Sequence, residues 1–210
     1  MSNLAHLKFN DRAPDMKLLN ADGKAVRLLS LWEKCAVLLA FARHFGCPQC
    51  KEMVATLAHS AKELRANGIV PVIVTQGTPK ETRVFGGKYA RGVLCLSDPE
   101  RRAYRAYGLE RANIFQTFLS PHVWASNARL RREKGWSTEF PPKGQDAMQM
   151  AGIFIIGTDG RIHLPYYYDD IADHPPLDLL LHGVLGVDWK KPFGKPFAPP
   201  HVRAKSRANK

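Results

Sequence analysis

The sequence lacks a long hydrophobic run. No apolar stretch in its 210 residues approaches the roughly 18 consecutive residues that a membrane-spanning helix requires. Residues 1–8 also lack the charged start, the apolar middle and the small-residue cleavage site that together mark a secretory signal. We therefore expect a cytoplasmic protein in a reducing compartment, without a membrane as partner.

Cysteine is also scarce. Four cysteines in a chain of this length do not suggest the disulfide framework of a small secreted domain. Two of them, Cys35 and Cys95, adjoin or lie within predicted strands and are best explained as small buried hydrophobic residues. The other two, Cys47 and Cys50, form a C-x-x-C pair. Such a pair, in a reducing compartment and beside a strand–helix–strand pattern, indicates redox chemistry.

Acidic residues are few, and the end of the chain has none. The sequence holds 31 Lys and Arg against 19 Asp and Glu, a formal net charge of +12. Residues 190–210 carry seven of the basic residues and four prolines, which leaves about +5 on residues 1–189. We predict one domain over residues 1–189 and a disordered, basic, proline-rich tail over residues 190–210. Nucleic acid is not an expected partner, because nothing else in the chain resembles a nucleic-acid-binding module.

The C-x-x-C pair stands where a predicted strand is followed by a predicted helix. Residues 36–42 are a continuous apolar run of buried-strand length, and apolar residues recur at helical spacing from Cys50 to Leu64. Cys47 therefore falls at the helix N-terminus, with Pro48 in the first turn, where its missing N–H costs nothing. Unpaired backbone N–H groups and the positive end of the helix dipole favour a thiolate there. Cys50 can reach the same face and capture an oxidised Cys47 sulfur.

The remaining patterns predict an α/β domain. A hairpin is expected over residues 14–28, and a strand over residues 69–74 completes a right-handed βαβ unit with the strand before Cys47. Pro71 inside this strand conflicts with a fully central position in the sheet. Residues 113–146 fit no clean pattern, and we interpret them as a partly helical insertion over the sheet edge or over the site. Further predicted elements are helices over residues 80–89, 99–107 and 176–185, a strand over residues 93–96 and a hairpin over residues 152–164.

Several short motifs have counterparts in one known family. They are Ala13-Pro14-Asp15 with Asp22-Gly23, Arg43-His44-Phe45-Gly46-Cys47-Pro48-Gln49-Cys50-Lys51-Glu52, Ser97-Asp98-Pro99 with Ala106-Tyr107-Gly108, Gly152-Ile153-Phe154-Ile155-Ile156-Gly157 with Asp159-Gly160, and Asp173-His174-Pro175. With these motifs, the chain resembles the peroxiredoxin-like branch of the AhpC/TSA superfamily, which includes selenoprotein-L-type proteins, over roughly residues 7–185. The resemblance implies an α/β, thioredoxin-like fold with a central mixed β-sheet flanked by helices and an N-terminal β-hairpin.

By this resemblance, Cys47 takes the place of the peroxidatic cysteine and Cys50 that of a local resolving partner. The threonine that peroxiredoxins carry three residues before this cysteine is His44 here. Their proline, four residues before the threonine, is Ala40. Their active-site arginine, just before a late strand, falls on Ala151. The thiol at the helix end is therefore present without its usual neighbours.

Arg43 and His44, shortly before the pair, are candidate partners of the thiolate. Arg43 could lower the thiol pKa and hold a peroxide oxygen in place of the missing arginine, or it could point to solvent at the strand end. His44 could donate a hydrogen bond to a peroxide or take the incoming proton, or its ring could be satisfied by the backbone. Glu52, in the first turns of the helix, is more simply explained as a solvated surface residue than as a base.

Three functions are compatible with these residues. The first is a peroxiredoxin-like, antioxidant oxidoreductase, in which Cys47 attacks a hydroperoxide and the sulfenic acid condenses with Cys50; thioredoxin or glutathione would then reduce the disulfide. The second is a thiol–disulfide oxidoreductase with little peroxidase activity, acting on a disulfide substrate. The third is a redox-switched binding protein. A reduced pair with a structural role is the simplest alternative, and the sequence leaves a homodimer open.

A metal is not an expected cofactor. Cys47, Cys50 and a histidine could hold zinc or copper, but a closed zinc site needs four ligands. The sequence has no second paired Cys/His cluster, and His163, His174 and His182 show no ligand spacing relative to the C-x-x-C pair. We therefore predict a site with no metal and no other cofactor.

Overall fold

A single β-sheet organises the chain. The computed structural model describes residues 5–183, apart from the side chain of Phe118, and seven strands in this range form one sheet in the order β2-β1-β5-β4-β3-β6-β7. β3, β4 and β5 are parallel neighbours, whereas the other neighbours pair antiparallel. The predicted mixed sheet with its N-terminal hairpin is confirmed. The strands are β1 (Lys17–Asn20), β2 (Ala25–Arg27), β3 (Ala36–Phe41), β4 (Ile69–Thr75), β5 (Leu94–Ser97), β6 (Gly152–Ile156) and β7 (Ile162–Tyr167).

Helices cover both faces of the sheet. They are α1 (Leu29–Trp32), α2 (Pro48–His59), α3 (Ala61–Ala66), α4 (Pro79–Tyr89), α5 (Arg102–Ala106), α6 (Pro121–Lys134) and α7 (Leu177–His182), with a π-helical turn at Phe115–Leu119. Only Ser60 separates α2 from α3, where the sequence predicts one continuous helix. Within residues 5–183, no helix combines the length and the apolar character needed to cross a bilayer.

β3 lies at the centre of the core, and all six of its residues are buried. Leu38 and Ala40 face the side on which α2, α4, α6 and α7 pack. Val37, Leu39 and Phe41 face the side of α1 and α5. Because alternate residues of a strand point to opposite faces, a strand covered on both sides must be apolar throughout. Burial of each large apolar side chain stabilises the fold by roughly 1.5–3 kcal/mol. The position of β3 is therefore well fixed, and with it the start of the loop that follows.

Pro71 lies in β4 without breaking the sheet. It pairs with Leu38 of β3, whereas the pairing of β4 with β5 begins one residue later, between Val72 and Leu94. At Pro71 the strand therefore has a paired neighbour on one side only, and a missing N–H is tolerated there. This offset removes the conflict that the sequence suggests.

The helix predicted over residues 99–107 is shorter than expected. It begins only at Arg102, because Arg101 adopts a left-handed conformation with φ 55°. The Asp98 carboxylate accepts hydrogen bonds from the backbone N–H groups of Arg102 and Ala103, at 3.1 and 2.7 Å. Asp98 thus binds the first backbone N–H groups of the helix across a turn that the sequence pattern does not reveal.

The last predicted elements are described only in part. The helix predicted over residues 176–185 corresponds to α7, which ends at His182. Residues 184–210 lie outside the described residues, and so does the predicted tail over residues 190–210. The division between domain and tail therefore stays a prediction.

The segment 113–146 lies over the start of α2. It contains the π-helical turn and α6, so it is partly helical, as the sequence predicts. We call residues 138–141 the cover segment. Its Glu139 N donates to the Gly46 carbonyl oxygen at 2.9 Å, and its Glu139 carboxylate pairs with Lys51 at 2.6 Å. The two backbones touch, because a Cβ at Gly46 would collide with the carbonyl oxygen of Glu139.

Candidate active site

Cys47 lies at the junction of β3 and α2. Residues 42–46 form the loop after β3, and Cys47 N donates to the carbonyl oxygen of His44 at 3.1 Å. Cys47 is the residue directly before α2, and Pro48 is the first residue of that helix. Cys47 and Cys50 are 1% and 2% exposed, and both are free thiols. The structure thus brings the pair together in a buried position at the positive end of the α2 dipole.

The two sulfurs have opposite electrostatic roles. Burial alone would raise the pKa of Cys47, but a hydrogen bond from Cys50 and the positive charge of Arg43 lower this pKa to about 6. Burial, together with the neighbouring Cys47, raises the pKa of Cys50 well above its ordinary value. At neutral pH, the thiolate form of Cys47 is therefore favoured, whereas Cys50 stays a neutral thiol. A nucleophile and a resolving thiol require this distribution of charge.

Arg43 is buried, with its guanidinium aimed at Cys47. Nη1 donates to Cys47 Sγ at 3.4 Å, Nε donates to the carbonyl oxygen of Gln149 at 3.0 Å, and Nη2 donates to the carbonyl oxygen of Ala147. With 2% of the residue exposed, the alternative that Arg43 points to solvent is wrong. Both carbonyls lie just before β6, close in the chain to Ala151, onto which the family arginine falls. A guanidinium therefore reaches this region from the loop after β3.

A buried amide holds the Arg43 loop against the segment before β6. Gln76, 2% exposed, follows β4 directly. Its Nε2 donates to the carbonyl oxygen of Arg43, and its Oε1 accepts from Asp146 N at 2.8 Å. Because β3 and β4 are parallel, the residues after their carboxyl ends meet at one edge of the sheet. Gln76 therefore fixes the backbone on both sides of the guanidinium.

His44 lies in the same pocket as a neutral ring. Burial, assisted by the positive charges of Arg43 and Lys51, lowers the pKa of His44 to about 4. The residue is 5% exposed, and its Nδ1 has no hydrogen-bond partner among the described residues. A neutral imidazole keeps one nitrogen as donor and the other as acceptor. The backbone therefore does not satisfy this ring atom, which leaves His44 able to exchange a hydrogen bond with a substrate.

A cavity of about 240 Å³ opens beside Cys47. Its walls come from the loop after β3, the start of α2, the π-helical turn, α6 and the cover segment. The volume is small for a ligand site, which suits a small substrate. Lining residues include Arg43, His44, Gln49, Thr117, Asn127, Phe140 and Ile171.

Glu52 is not the solvated residue that the sequence suggests. Its carboxylate accepts two hydrogen bonds from the Arg129 guanidinium, at 2.7 and 2.8 Å, and its side chain is 22% exposed. This ion pair joins α2 to α6. Glu52, Arg129 and His174 line a second cavity of about 470 Å³, which Cys47 does not line. Glu52 therefore fastens α6 beside the site and does not act on the thiolate.

Metal ligands do not assemble around the cysteine pair in the described part of the chain. No group of three or more His, Cys, Asp or Glu within residues 5–183 is arranged to hold an ion. His163 contacts the Asp159 carboxylate at 3.2 Å, and His174 contacts the Tyr168 hydroxyl at 3.1 Å. A site without a metal stays a prediction.

The fold and the site define a class of protein. A sheet of parallel and antiparallel strands, a C-x-x-C pair at the start of its main helix and a low pKa at the first cysteine are the features of thioredoxin-fold thiol oxidoreductases. The family model for the AhpC/TSA family matches residues 9–164. The chain belongs to this family, and it is a peroxiredoxin-like oxidoreductase.

Named relatives agree with this assignment. Peroxiredoxin-like 2C of Bos taurus is 27% identical over 182 residues, which cover 83% of this chain and 80% of the relative. Prostamide/prostaglandin F synthase of Danio rerio is 29% identical over 161 residues, which cover 74% and 77%. Among solved structures, peroxidoxin BcpB from Mycobacterium tuberculosis has a TM-score of 0.61 at 18% identity, covering 84% of this chain and 95% of that one. The solved structure supports the fold.

Sequence reasoning missed three amides around the site. Gln49 stands inside the C-x-x-C motif, and its position alone could have drawn attention to it. Gln76 is the first residue after a buried parallel strand, which is the usual place for a polar residue at a site edge. Asn127 gives no such signal, because it lies on α6 in a segment without a clear pattern and reaches the site only through tertiary packing.

Proposed function

We propose that this protein reduces a small hydroperoxide through Cys47. The thiolate attacks one oxygen of the O–O bond and forms an S–O bond, while the other oxygen leaves as an alkoxide or hydroxide and takes a proton. The Cys50 thiol then attacks the Cys47 sulfenic acid, which forms the Cys47–Cys50 disulfide and releases water. Two thiols from a donor such as thioredoxin or glutathione reduce this disulfide and are themselves oxidised.

The observation that carries the proposal is the contact between Arg43 and Cys47. A guanidinium has five N–H donors, and three contacts of Arg43 among the described residues engage one donor each. The other donors are free to hold peroxide oxygens beside the sulfur. Donors placed where negative charge develops on the leaving oxygen lower the barrier. Arg43 and the neutral His44 would together replace the arginine and threonine of other peroxiredoxins.

Thiol–disulfide exchange is the second candidate, because it uses the same two cysteines. Attack on a protein disulfide requires a second protein to reach Cys47 Sγ. Cys47 is 1% exposed and lies beside a cavity of about 240 Å³ that the cover segment borders. A small molecule can enter such a cavity, whereas a folded protein cannot without displacing the cover segment. Burial therefore favours a small hydroperoxide over a protein disulfide.

A single turnover of the reduced protein with hydrogen peroxide tests the proposal. Thiol loss and intact mass should show a Cys47–Cys50 disulfide forming orders of magnitude faster than a free thiol reacts at the same pH. Cys47→Ser should abolish the reaction, and Cys50→Ser should stop it at a sulfenic acid on Cys47. Cys95→Ser is the matched control and should react like the parent. Consumption at the free-thiol rate would overturn the peroxidase proposal and leave disulfide exchange.

The proposal also assigns a cytoplasmic location and a thiol donor as partner. A disulfide formed at every turnover must be reduced again, and thioredoxin and glutathione supply thiols in a reducing compartment. Multiple turnover with each donor in turn identifies the partner. A redox-switched binding role would instead show one turnover and no sustained cycle with either donor.

A further inference from the structure

Two side-chain amides connect Cys47 to the helix that borders its cavity. Gln49 is fully buried, and its Oε1 accepts from the Cys47 thiol at 3.4 Å. Its Nε2 donates to Asn127 Oδ1 at 2.8 Å. Asn127 belongs to α6, so a chain of three groups runs from the reacting sulfur to a different element of the fold. Neither amide has a role in the function proposed above.

We propose that Gln49 and Asn127 form an orientation relay: the two amides turn over together when Cys47 ionises, and they thereby set how readily the thiolate forms. With a thiol, the sulfur donates and needs an acceptor, which Gln49 Oε1 supplies. With a thiolate, the sulfur only accepts, so the amide must present its NH₂ group instead. Gln49 Oε1 then faces α6, and Asn127 must present its own NH₂ group to it.

Burial increases the energy difference between the two orientations of the Gln49 amide beside the thiolate. A carbonyl oxygen held against a thiolate in a buried site is repulsive, whereas an N–H donor there makes a charge-assisted hydrogen bond. Gln49 touches the reacting sulfur directly, and Asn127 is a positioning residue that acts through Gln49. The inference rests on Cys47 being the nucleophile of the proposed function, but it concerns the ionisation of this thiol and not the oxidant.

Other charged and titratable groups lie around Cys47 and its cavity and must be held constant in any test. They come from each element around the sulfur: Arg43 and His44 from the loop after β3, Cys50 and Lys51 from α2, Glu139 from the cover segment, and Tyr168 from the chain after β7. None of these groups needs to be altered to change the relay, because both relay residues are uncharged.

The test is a pH titration of the thiolate ultraviolet absorbance in four variants, with Cys47→Ser as the blank. Asn127→Asp can only accept, so it holds the Gln49 NH₂ group toward α6 and the Gln49 oxygen toward Cys47. We expect the thiolate signal at pH 6 to fall about fivefold and to recover by about pH 9. Asn127→Leu releases Gln49 to turn freely and should leave the signal at pH 6 unchanged or higher.

The other two variants, Gln49→Leu alone and Gln49→Leu with Asn127→Asp, separate the relay from the added charge. Relative to Gln49→Leu alone, the double variant should lose clearly less thiolate signal than Asn127→Asp loses relative to the parent, because the amide that transmits the effect is gone. If Asn127→Asp lowers the thiolate signal equally with and without Gln49, the proposal is overturned. Equal losses of this signal in Asn127→Asp and Asn127→Leu would overturn it as well. If Gln49→Leu does not fold, Gln49→Met replaces it as the background without an amide. No peroxide is used, so a failed relay and a failed peroxidase proposal give different results.

Discussion

Arg43 acts through both its charge and its shape. Its guanidinium binds one sulfur and two carbonyl oxygens at once, a geometry that a single ammonium group cannot reproduce. Its charge is also a principal reason why the pKa of Cys47 lies near 6 despite burial. The side chain therefore both favours ionisation of the nucleophile and provides donors that can position a substrate.

Replacement of Arg43 should separate these two roles. Arg43→Met removes both, so the pH midpoint of Cys47 alkylation by iodoacetamide should rise and the rate at pH 7 should fall more than about tenfold. Arg43→Lys keeps a charge and should retain part of the low midpoint while losing peroxide turnover. Arg129→Met, which breaks the ion pair with Glu52, is the control and should keep the parental midpoint. An unchanged midpoint in Arg43→Met would contradict this account of the thiolate.

At the scale of elements, the crossing of the cover segment over Gly46 decides how closed the site is. The two backbones touch, so Gly46→Ala must push the cover segment away, at a cost of roughly 1–3 kcal/mol. Amide hydrogen exchange in residues 138–141 should become faster as a result. Gly87→Ala is the matched control: a Cβ added at this position of α4 would meet nothing within 4 Å, so the substitution should stabilise the protein by about 1 kcal/mol. Equal effects of the two substitutions would show that the crossing is not tight.

Elements in which apolar residues recur at a regular spacing could be predicted from the sequence, and elements positioned by tertiary packing could not. The apolar run before Cys47 and the helical spacing after it correctly place the thiol between β3 and α2. The segment 113–146 has no period, because a π-helical turn and a cover segment bury few side chains in a regular order. Asn127 reaches Gln49 across a separation of 78 residues, and no local pattern reports such a contact. The left-handed Arg101 likewise shortens a helix that residue preferences would extend.

At the scale of the whole molecule, His44 makes stability depend on pH. Its pKa is about 4 in the folded protein against 6.5 as the ordinary value, so the unfolded chain binds a proton more readily between these values. The contribution of the neutral His44 ring to the free energy of unfolding is therefore fully present above about pH 6.5 and is lost as the pH falls toward 4. The loss attributable to this buried ring is roughly 2–3 kcal/mol.

Urea unfolding at pH 7 and at pH 4.5 measures this contribution. The parent should lose more stability between the two values than His44→Gln, by roughly 2–3 kcal/mol. Other histidines whose pKa burial lowers, such as His174, are present in both proteins, so their contributions cancel in the comparison. His59→Gln is a suitable control, because His59 lies at the end of α2, away from the cavity beside Cys47. Parallel losses in the parent and in His44→Gln would show that the ring is not held neutral.

The anchor of Arg43 has a consequence for how this chain tolerates mutation. The guanidinium is held by main-chain carbonyls of residues 147 and 149, and every amino acid carries that group. The side chain of Ala147 can therefore change without loss of the acceptor. In contrast, one residue inserted or deleted between Asp146, which Gln76 holds, and β6 would move both carbonyls away from the guanidinium. Selection on this stretch should act on its length more strongly than on its composition.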